Sequence, residues 1–329
     1  MDEVAGRSIL AIDFGGTQIR AAHVSPNPTV SCRRAVETRD EEGVEAVIDR
    51  ICAQAVAVRD DARRMGLPQA AGIGVSAPGP LDPWRGVVVA PPNLAGWRDV
   101  PLAARVEEVL GLPTFLERDT NAAVMAEWRY GGAKGADDVI YVTVSTGIGG
   151  GLVVNGRPLI GKDGTAGEIG HITVDIDGPL CGDGMPGHAE AIGSGTAIAR
   201  EGRALLDRGE APGLAELAQD AEVDAALVAR AADEGDVACQ RVLARAWTAI
   251  GALCAGLVIA LNPEVIVLGG SIALHRPELQ TAVRDEIDRR AFAAPARRVR
   301  IEMSQLADDV SLIGLLPIVN ERLTAKELS

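Results

Sequence analysis

Short apolar runs alternate with stretches of helical spacing along this chain, a pattern typical of an α/β protein. Apolar runs bounded by glycine or polar turns predict strands over residues 9–14, 20–24, 71–75, 114–117, 139–144, 151–154, 265–268 and 298–303. Apolar positions three and four apart predict helices over residues 43–65, 100–110, 121–130, 196–206, 222–235, 238–261 and 310–323. Residues 157–195 are rich in glycine and lack a period, and their number favours a functional loop region over a plain linker.

Two of the predicted strands lead into glycine-rich turns. Asp13-Phe14-Gly15-Gly16-Thr17 ends the first strand, and Ser145-Thr146-Gly147-Ile148-Gly149-Gly150-Gly151 follows the strand at 139–144. Glycine lets backbone N–H groups approach a phosphate closely, and Asp13 could hold a water or a metal ion beside it. Two such turns about 130 residues apart, with a third at Gly269-Gly270-Ser271, predict duplicated lobes that face one nucleotide. This arrangement points to phosphoryl transfer.

Composition and charge narrow the class of protein. The chain has 329 residues, enough for about two domains, and 47% of them are hydrophobic. Its net charge of −14 argues against a nucleic-acid surface, which needs a basic footprint. Five widely spaced cysteines do not form a disulfide framework, and residues 1–7 lack the apolar core of a signal peptide, so we expect a cytoplasmic location. The uncharged stretch at 246–263 predicts a buried helix rather than a membrane span.

The segment Glu117-Arg118-Asp119-Thr120-Asn121 places a carboxylate where a predicted strand gives way to a helix. A side chain at that point can project into a cleft and take a proton from a hydroxyl nucleophile, a role worth about 10² to 10⁴ in rate. The alternative is that Asp119 or Thr120 only caps the helix, a role that both residue types favour. The pattern alone leaves both interpretations open.

The glycine-rich region carries two of the four histidines of the chain. Glu168 and His171, three residues apart, could both face a polyhydroxylated ligand, although His171 could equally be a structural histidine. His171, Cys181, Asp183 and His188 together supply the ligand types that zinc accepts in a tetrahedral site. Their spacing fits no standard finger, and the alternative is a surface loop with incidental polar residues.

Together these residues resemble one family, the ROK (repressor, open reading frame, kinase) proteins, which are sugar kinases and repressors. The resemblance runs from Ile9 to about Leu316. Its marks stand in the right order: Asp13-x-Gly15-Gly16-Thr17, Ala77-Pro78-Gly79-Pro80-Leu81-Asp82, Pro92-Asn93-Leu94-x-Gly96-Trp97, Asp119-x-Asn121-Ala122-Ala123, Gly147-Ile148-Gly149-Gly150-Gly151, Gly167-Glu168-x-Gly170-His171, the block 181–195 and Leu268-Gly269-Gly270.

The resemblance implies an α/β, two-lobed actin-like ATPase fold, ribonuclease H-like and of hexokinase type, with a central cleft. It implies a small lobe at residues 1–118, completed by a helix at about 310–329, and a large lobe at 119–309 with the metal-loop region and a helical bundle. ATP with Mg²⁺ would lie on the glycine turns, at Asp13, Gly15, Gly16, Thr17, Ser145, Thr146, Gly147, Gly149, Gly269 and Gly270. A sugar would lie deep in the cleft, on Asn93, Asp119, Glu168, His171 and Glu190.

For activity, the resemblance implies a transferase: an ATP-dependent hexose kinase in which Asp119 is the general base for attack of the 6-hydroxyl on the γ-phosphate. Glucokinase is the first expectation. Kinases of N-acetylmannosamine, mannose or fructose, and a catalytically inactive sugar-binding protein, are the alternatives. Some relatives carry a DNA-binding segment, but only eight residues precede Ile9 and the chain is acidic. We therefore expect small-molecule partners only, with no nucleic acid and no membrane, and a homodimer or higher homo-oligomer.

Two positions depart from the family pattern. Arg118 stands where the family usually has an asparagine that touches sugar hydroxyls; we expect it to turn outward and pair with a carboxylate such as Glu117, or to reshape the sugar site. Asp183 and His188 stand where the zinc motif of the family has cysteines, and only Cys181 remains. Both replacements can ligate zinc, so the alternatives are a structural zinc on these residues and His171, or a loop held by hydrogen bonds.

Overall fold

The computed structural model describes residues 6–91, 94–219 and 221–328. The strands of its first part are β1 (Ile9–Phe14), β2 (Gln18–Val24), β3 (Val30–Glu37), β4 (Gly72–Ala77), β5 (Leu81–Asp82), β6 (Val87–Val88) and β7 (Thr114–Arg118). The helices of this part are α1 (Val44–Arg64), α2 (Leu102–Leu110) and α3 (Asp119–Tyr130).

The first sheet has the strand order β3-β2-β1-β4-β7. β1 is antiparallel to β2, with Ile9 opposite Val24, and it is parallel to β4, which is in turn parallel to β7. Because these three parallel strands run in one direction, their carboxyl ends at Phe14, Ala77 and Arg118 lie on one edge of the sheet. In open α/β sheets this is the edge at which ligands bind.

The remaining elements form a second sheet and the helices around it. Its strands are β8 (Val139–Val144), β9 (Ile148–Val154), β10 (Arg157–Pro158), β11 (Val265–Gly269) and β12 (Arg300–Met303). The helices are α4 (Ala189–Gly193), α5 (Gly195–Asp207), α6 (Pro212–Ala218), α7 (Ala225–Asp233), α8 (Val237–Leu261), α9 (Ser271–His275), α10 (Glu278–Arg290), α11 (Ala293–Arg298) and α12 (Val310–Glu327).

The second sheet repeats the design of the first. Its order is β10-β9-β8-β11-β12, with β8 antiparallel to β9 and parallel to β11, and with β11 parallel to β12. The duplication expected from the glycine turns is therefore present as two sheets of the same strand order. The turn after β11 corresponds to the turn after β4, whereas the turns after β1 and β8 correspond to each other.

The helices α3 and α12 join the two sheets. Their buried side chains form one core with Ile9 and Ala11 of the first sheet and with Val265 and Val267 of the second. The two helices cross so closely that a Cβ at position 314 would lie 1.7 Å from the carbonyl oxygen of Ala122. Glycine is the residue that permits this approach. The division into lobes at residues 118 and 119 stays a prediction.

The helix α8 runs through the helical layer that covers the second sheet. It is long and apolar enough to cross a membrane by length and composition, but 61% of its most apolar window is buried inside the protein. It packs against α4, α7 and α10. The apolar stretch at 246–263 is thus the middle and end of a core helix, as its pattern predicts.

Candidate functional site

The glycine turns lie at the ends of β1 and β8. In the first, the Gly15 N–H donates to the carbonyl of Gln18 at 2.9 Å, and the hydroxyl of Thr38 donates to the carbonyl of Gly15 at 2.6 Å. In the second, the Ser145 N–H donates to the carbonyl of Gly147 at 2.9 Å. Each turn is therefore fixed by its own hydrogen bonds.

The turn after β11 joins the second glycine turn. The hydroxyls of Ser145 and Ser271 lie 2.8 Å apart, and Gly195 donates its N–H to the carbonyl of Ser145 at 2.8 Å. Gly270 has φ +87°, a left-handed conformation that glycine adopts without strain. The turn that begins at Ser145 and the turn at 269–271 are thus in direct contact.

Asp13 is held at the end of β1 by two partners. Its Oδ1 accepts a hydrogen bond from the Ser76 hydroxyl at 2.6 Å, and its Oδ2 pairs with Arg20, with Nη2 at 2.5 Å and Nε at 3.0 Å. Arg20 also donates to the carbonyl of Asp308 at 2.6 Å. The sequence reasoning did not assign Ser76 or Arg20 to the site, although Arg20 lies seven residues after Asp13 on the hairpin strand that pairs with β1.

Asp119 is the first residue of α3, directly after β7. Arg118 occupies the N-cap position and makes no side-chain cap, while Asp119 Oδ1 accepts a hydrogen bond from the N–H of Thr120 at 2.7 Å. Asp119 therefore makes one local bond at the helix start, and its second carboxylate oxygen has no such backbone partner among the described residues.

The electrostatic surroundings of Asp119 favour its protonated form. Burial raises the pKa of Asp119 from 3.8 to about 6, and the nearby carboxylates of Asp13 and Glu168 act in the same direction. The Thr120 N–H and the Arg118 guanidinium oppose this rise. The side chain keeps some solvent access. A carboxyl group that titrates near neutral pH is suited to accept a proton during a reaction.

Arg118 turns inward. Its side chain is only 3% exposed, its Nη1 donates to the carbonyl of Ala166 at 2.7 Å, and its Nη2 lies 3.2 Å from Oε1 of Glu168. The expectation that it turns outward toward Glu117 is wrong, because Glu117 pairs with Arg322 at 2.6 Å instead. Both oxygens of Glu117 have partners, since the Arg118 N–H and the side-chain amide of Asn121 donate to the other.

The other predicted sugar ligands lie on the glycine-rich region and α4. Glu168 is 38% exposed, as is the side chain of His171. Glu190, in the first turn of α4, accepts a hydrogen bond from the Ile148 N–H at 2.8 Å. Its other oxygen lies 3.8 Å from the thiol of Cys181. Glu190 thus connects this region to the second glycine turn. Asn93 lies outside the described residues.

The four predicted metal ligands come together. The ligand atoms of His171, Cys181, Asp183 and His188 all lie within 4.8 Å of one another. The Nδ1 atoms of the two histidines are 3.3 Å apart, and they lie 3.0 and 3.3 Å from Oδ2 of Asp183. In a tetrahedral zinc site with bonds of about 2.0–2.3 Å, ligand atoms are about 3–4 Å apart. The donor types fit a zinc ion, and the two histidines and Asp183 already have the spacing of its ligands, whereas the 4.8 Å span of the whole set requires a small inward shift to bind it.

A cavity of about 710 Å³ opens beside the second glycine turn. Ser145, Thr146 and Ser271 line it together with residues of α5, α7 and α8, among them Arg203, Ala229 and Trp247, and residues of α9. This volume is within the range of pockets for small ligands and cofactors. The sequence reasoning missed the helical wall, because apolar residues at helical spacing predict a core equally well.

The paired sheets, with glycine turns on the matching edge of each, have the two-lobed actin-like ATPase fold. The chain aligns with the structure of a ROK family glucokinase from Streptomyces griseus in complex with glucose and AMPPNP, with a TM-score of 0.81 and 29% identity, covering 94% of this chain and 98% of that one. The model of the ROK family matches residues 9–322, and the chain belongs to this family.

Two curated relatives are similar over most of their length. The glucokinase of Thermotoga maritima is 31% identical over 96% of this chain and 98% of its own. The N-acetylmannosamine kinase of Shigella flexneri is 34% identical over 81% of this chain and 84% of its own. The similarity thus extends to kinases that act on two different sugars.

Proposed function

We propose that this protein phosphorylates a hexose at its 6-hydroxyl with ATP, with glucose as the first candidate substrate and Asp119 as the general base. The observation that carries the proposal is the position of Asp119. It follows β7 at the binding edge of the first sheet, it is near enough to Asp13 and Glu168 for their charges to raise its pKa, and that pKa is about 6. It therefore stands between the predicted phosphate turn and the predicted sugar loop.

The chemistry needs few groups. Asp119 would accept the proton of the 6-hydroxyl as its oxygen bonds to the γ-phosphorus, and the bond from that phosphorus to the bridging oxygen breaks to release ADP. Positioning and charge stabilisation provide most of the catalysis in such transfers. The glycine turns would hold the phosphates, and the 710 Å³ cavity next to Ser145 has room for the nucleoside.

Magnesium fits the carboxylate of Asp13, which Arg20 and Ser76 hold in place. Mg²⁺ usually keeps several waters and few protein ligands, and with ATP it neutralises charge on the phosphates. Asp13 would hold it through its water shell.

Zinc would be held by His171, Cys181, Asp183 and His188, and it would supply a structural crosslink. The crosslink would stabilise the positions of two predicted sugar ligands. One is His171, a zinc ligand itself, and the other is Glu190, which Cys181 contacts. A site with one sulfur, one oxygen and two nitrogen atoms needs no additional ligand for tetrahedral coordination.

A second sugar is supported by the relatives. The similarity to an N-acetylmannosamine kinase makes that sugar the alternative substrate. Mannose and fructose are the next candidate substrates. The alternative to an enzyme is a catalytically inactive sugar-binding protein.

The experiment is a panel of these hexoses with ATP and Mg²⁺, followed by coupled ADP release, on the wild type and on Asp119→Asn. We expect sugar-dependent ADP release that is abolished in Asp119→Asn, with only a modest loss of sugar affinity. Asp119 of the ligand-free protein becomes protonated below pH 6, so kcat/KM of the wild type should fall as the pH decreases through about 6. Retention of more than about one-hundredth of the wild-type kcat by Asp119→Asn would remove it as the base, because general-base catalysis supplies about 10² to 10⁴. A panel without any turnover would favour the inactive binder.

A further inference from the structure

Arg118 is a buried cation that connects two parts of the candidate site. It ends β7, beside Asp119, while its guanidinium reaches the segment at 160–171. With 3% of its side chain exposed, it has little contact with solvent. A charged side chain in such a place is costly unless its donors have partners.

The guanidinium is engaged by protein atoms on both sides. Nη1 donates to the carbonyl oxygen of Ala166 at 2.7 Å, and Nη2 lies 3.2 Å from Oε1 of Glu168. Nη2 also lies 3.2 Å from the hydroxyl oxygen of Thr120, in the first turn of α3. One planar group thus holds a backbone oxygen and a carboxylate two residues apart, together with the helix start that carries Asp119.

The backbone of two glycines lies close to Glu168 and Arg118. A Cβ at Gly79 would lie 3.3 Å from Oε1 of Glu168 and 3.6 Å from Nε of Arg118. Gly167, just before Glu168, lies so close to β9 that a Cβ on it would be 2.6 Å from the carbonyl oxygen of Gly150. The backbone before Glu168 is therefore packed against β9, and its carboxylate lies beside the turn after β4 and pairs with the guanidinium, while 38% of the side chain stays exposed.

From these contacts we infer that Arg118 is a positioning residue for the sugar acceptor: it fixes Glu168 and the segment 160–171 relative to Asp119. This inference rests on the proposed hexose kinase activity. Arg118 does not need to touch the sugar, because the hydrogen bonds to Ala166 and Thr120 and the ion pair with Glu168 already engage both terminal nitrogens of its guanidinium. Its influence on the sugar passes through the carboxylate that it orients.

The test compares Arg118→Met, which keeps an unbranched chain as far as the position of Nε and lacks the charged guanidinium, with Arg34→Met as the control. Arg34, in the edge strand β3, makes an ion pair with Asp61 of α1 at 2.7 Å, and its side chain is 42% exposed. Two properties are measured: amide hydrogen exchange of residues 160–171 without any ligand, and the dissociation constants of the hexose and of a non-hydrolysable ATP analogue. Glu168→Gln and the double variant Arg118→Met/Glu168→Gln complete a double-mutant cycle.

We expect Arg118→Met to accelerate exchange across 160–171 and to weaken hexose binding by about tenfold or more, because that is the loss when a hydrogen bond to a charged group such as Glu168 is broken. Affinity for the ATP analogue should change less than about twofold, and Arg118→Lys should recover part of the loss. In the Glu168→Gln background, the Arg118 substitution should weaken hexose binding by no more than about twofold, since coupled residues are not additive. The Arg34 control should match the wild type.

The inference is overturned if exchange across 160–171 in Arg118→Met equals that of the control, or if exchange rises while hexose affinity is unchanged. It is also overturned if the two substitutions are additive in the cycle. If Arg118→Met does not fold, Arg118→Lys decides. Its single terminal nitrogen cannot replace both Nη1 on Ala166 and Nη2 on Glu168, so it must still accelerate exchange across 160–171 relative to the wild type. A wild type that phosphorylates no hexose contradicts the proposed function separately, and the exchange data then decide whether Arg118 holds the segment.

Discussion

Replacing Asp119 with asparagine should make the protein more stable at neutral pH. The ionised carboxylate is unfavourable in the folded protein, because it is desolvated and faces Asp13 and Glu168. Asparagine has a similar shape and carries no charge. Its side-chain oxygen can accept the hydrogen bond that the Thr120 N–H donates to Oδ1 of Asp119 at 2.7 Å in the wild type. The substitution thus removes the cost and keeps the local hydrogen bond.

The size of the effect follows from the pKa. The pKa of Asp119 rises from its ordinary 3.8 to about 6 in the folded protein. Each pKa unit corresponds to about 1.4 kcal/mol, so ionisation of this group costs the folded state about 3 kcal/mol at most. Between pH 4 and 6 the folded state binds this proton more tightly than the unfolded chain does. The contribution of the wild-type group to stability therefore falls as the pH rises through this window.

The assay is unfolding of the ligand-free protein at several pH values. Above pH 7, Asp119→Asn should increase the free energy of unfolding by up to about 3 kcal/mol, or Tm by about 5 °C. Below pH 4 the two proteins should be equally stable, because Asp119 is then protonated in both the folded and the unfolded state.

Asp236→Asn is the matched control, with the opposite sign. Burial alone would raise the pKa of Asp236, but backbone N–H groups at the start of α8 and of α6 outweigh it, and the net pKa is lowered. Replacing this acceptor should cost about 1–2 kcal/mol at pH 7. The reasoning about Asp119 is refuted if its asparagine variant gains nothing at pH 8, or gains as much at pH 4 as at pH 8.

Two further predictions concern metal content and packing. Purified protein should contain about one zinc per chain, and Cys181→Ala should lose most of it while Cys239→Ala, a buried thiol outside the ligand cluster, retains it. Equal zinc contents in the two variants would contradict the assignment of Cys181 as a zinc ligand. In α8, Gly251→Ala should lower the free energy of unfolding by about 1–3 kcal/mol, because its Cβ would lie 2.5 Å from the side chain of Glu286. A Cβ at Gly256 meets no atom within 4 Å, so Gly256→Ala should raise the free energy of unfolding by about 0.5–1 kcal/mol. Both variants are measured by denaturant unfolding, and a Gly251→Ala protein more stable than Gly256→Ala would contradict this account of α8 packing.

The parts of the fold that could be predicted from sequence are those with an uninterrupted pattern. The strand predicted at 139–144 is β8, and the helix predicted at 43–65 differs from α1 by one residue at each end. β3 was missed because it is an edge strand with exposed arginines and no apolar run. α10 was missed because charges surround its few buried positions, among them Leu279 and Val283.

In the candidate site too, some features could be predicted from the sequence and others could not. The clustering of His171, Cys181, Asp183 and His188 agrees with the grouping drawn from ligand chemistry. The direction of Arg118 could not be obtained that way, because it depends on the carbonyl of Ala166, and a backbone atom leaves no mark in a sequence. The cavity behind Ser145 was equally hidden, since it depends on how far apart α5, α7 and α8 pack.

The position of α12 has a consequence for how the protein is made. This helix covers β1 and β4, and its side chains share a core with Ile9 and Ala11, but it leaves the ribosome roughly 300 residues after them. Until then, α3 covers only part of this face of the first sheet, and the rest is open to aggregation or to a chaperone. Contacts between residues so far apart in the sequence slow folding. Shortening α12 should therefore reduce the yield of soluble protein, whereas the protein that does fold should keep its activity.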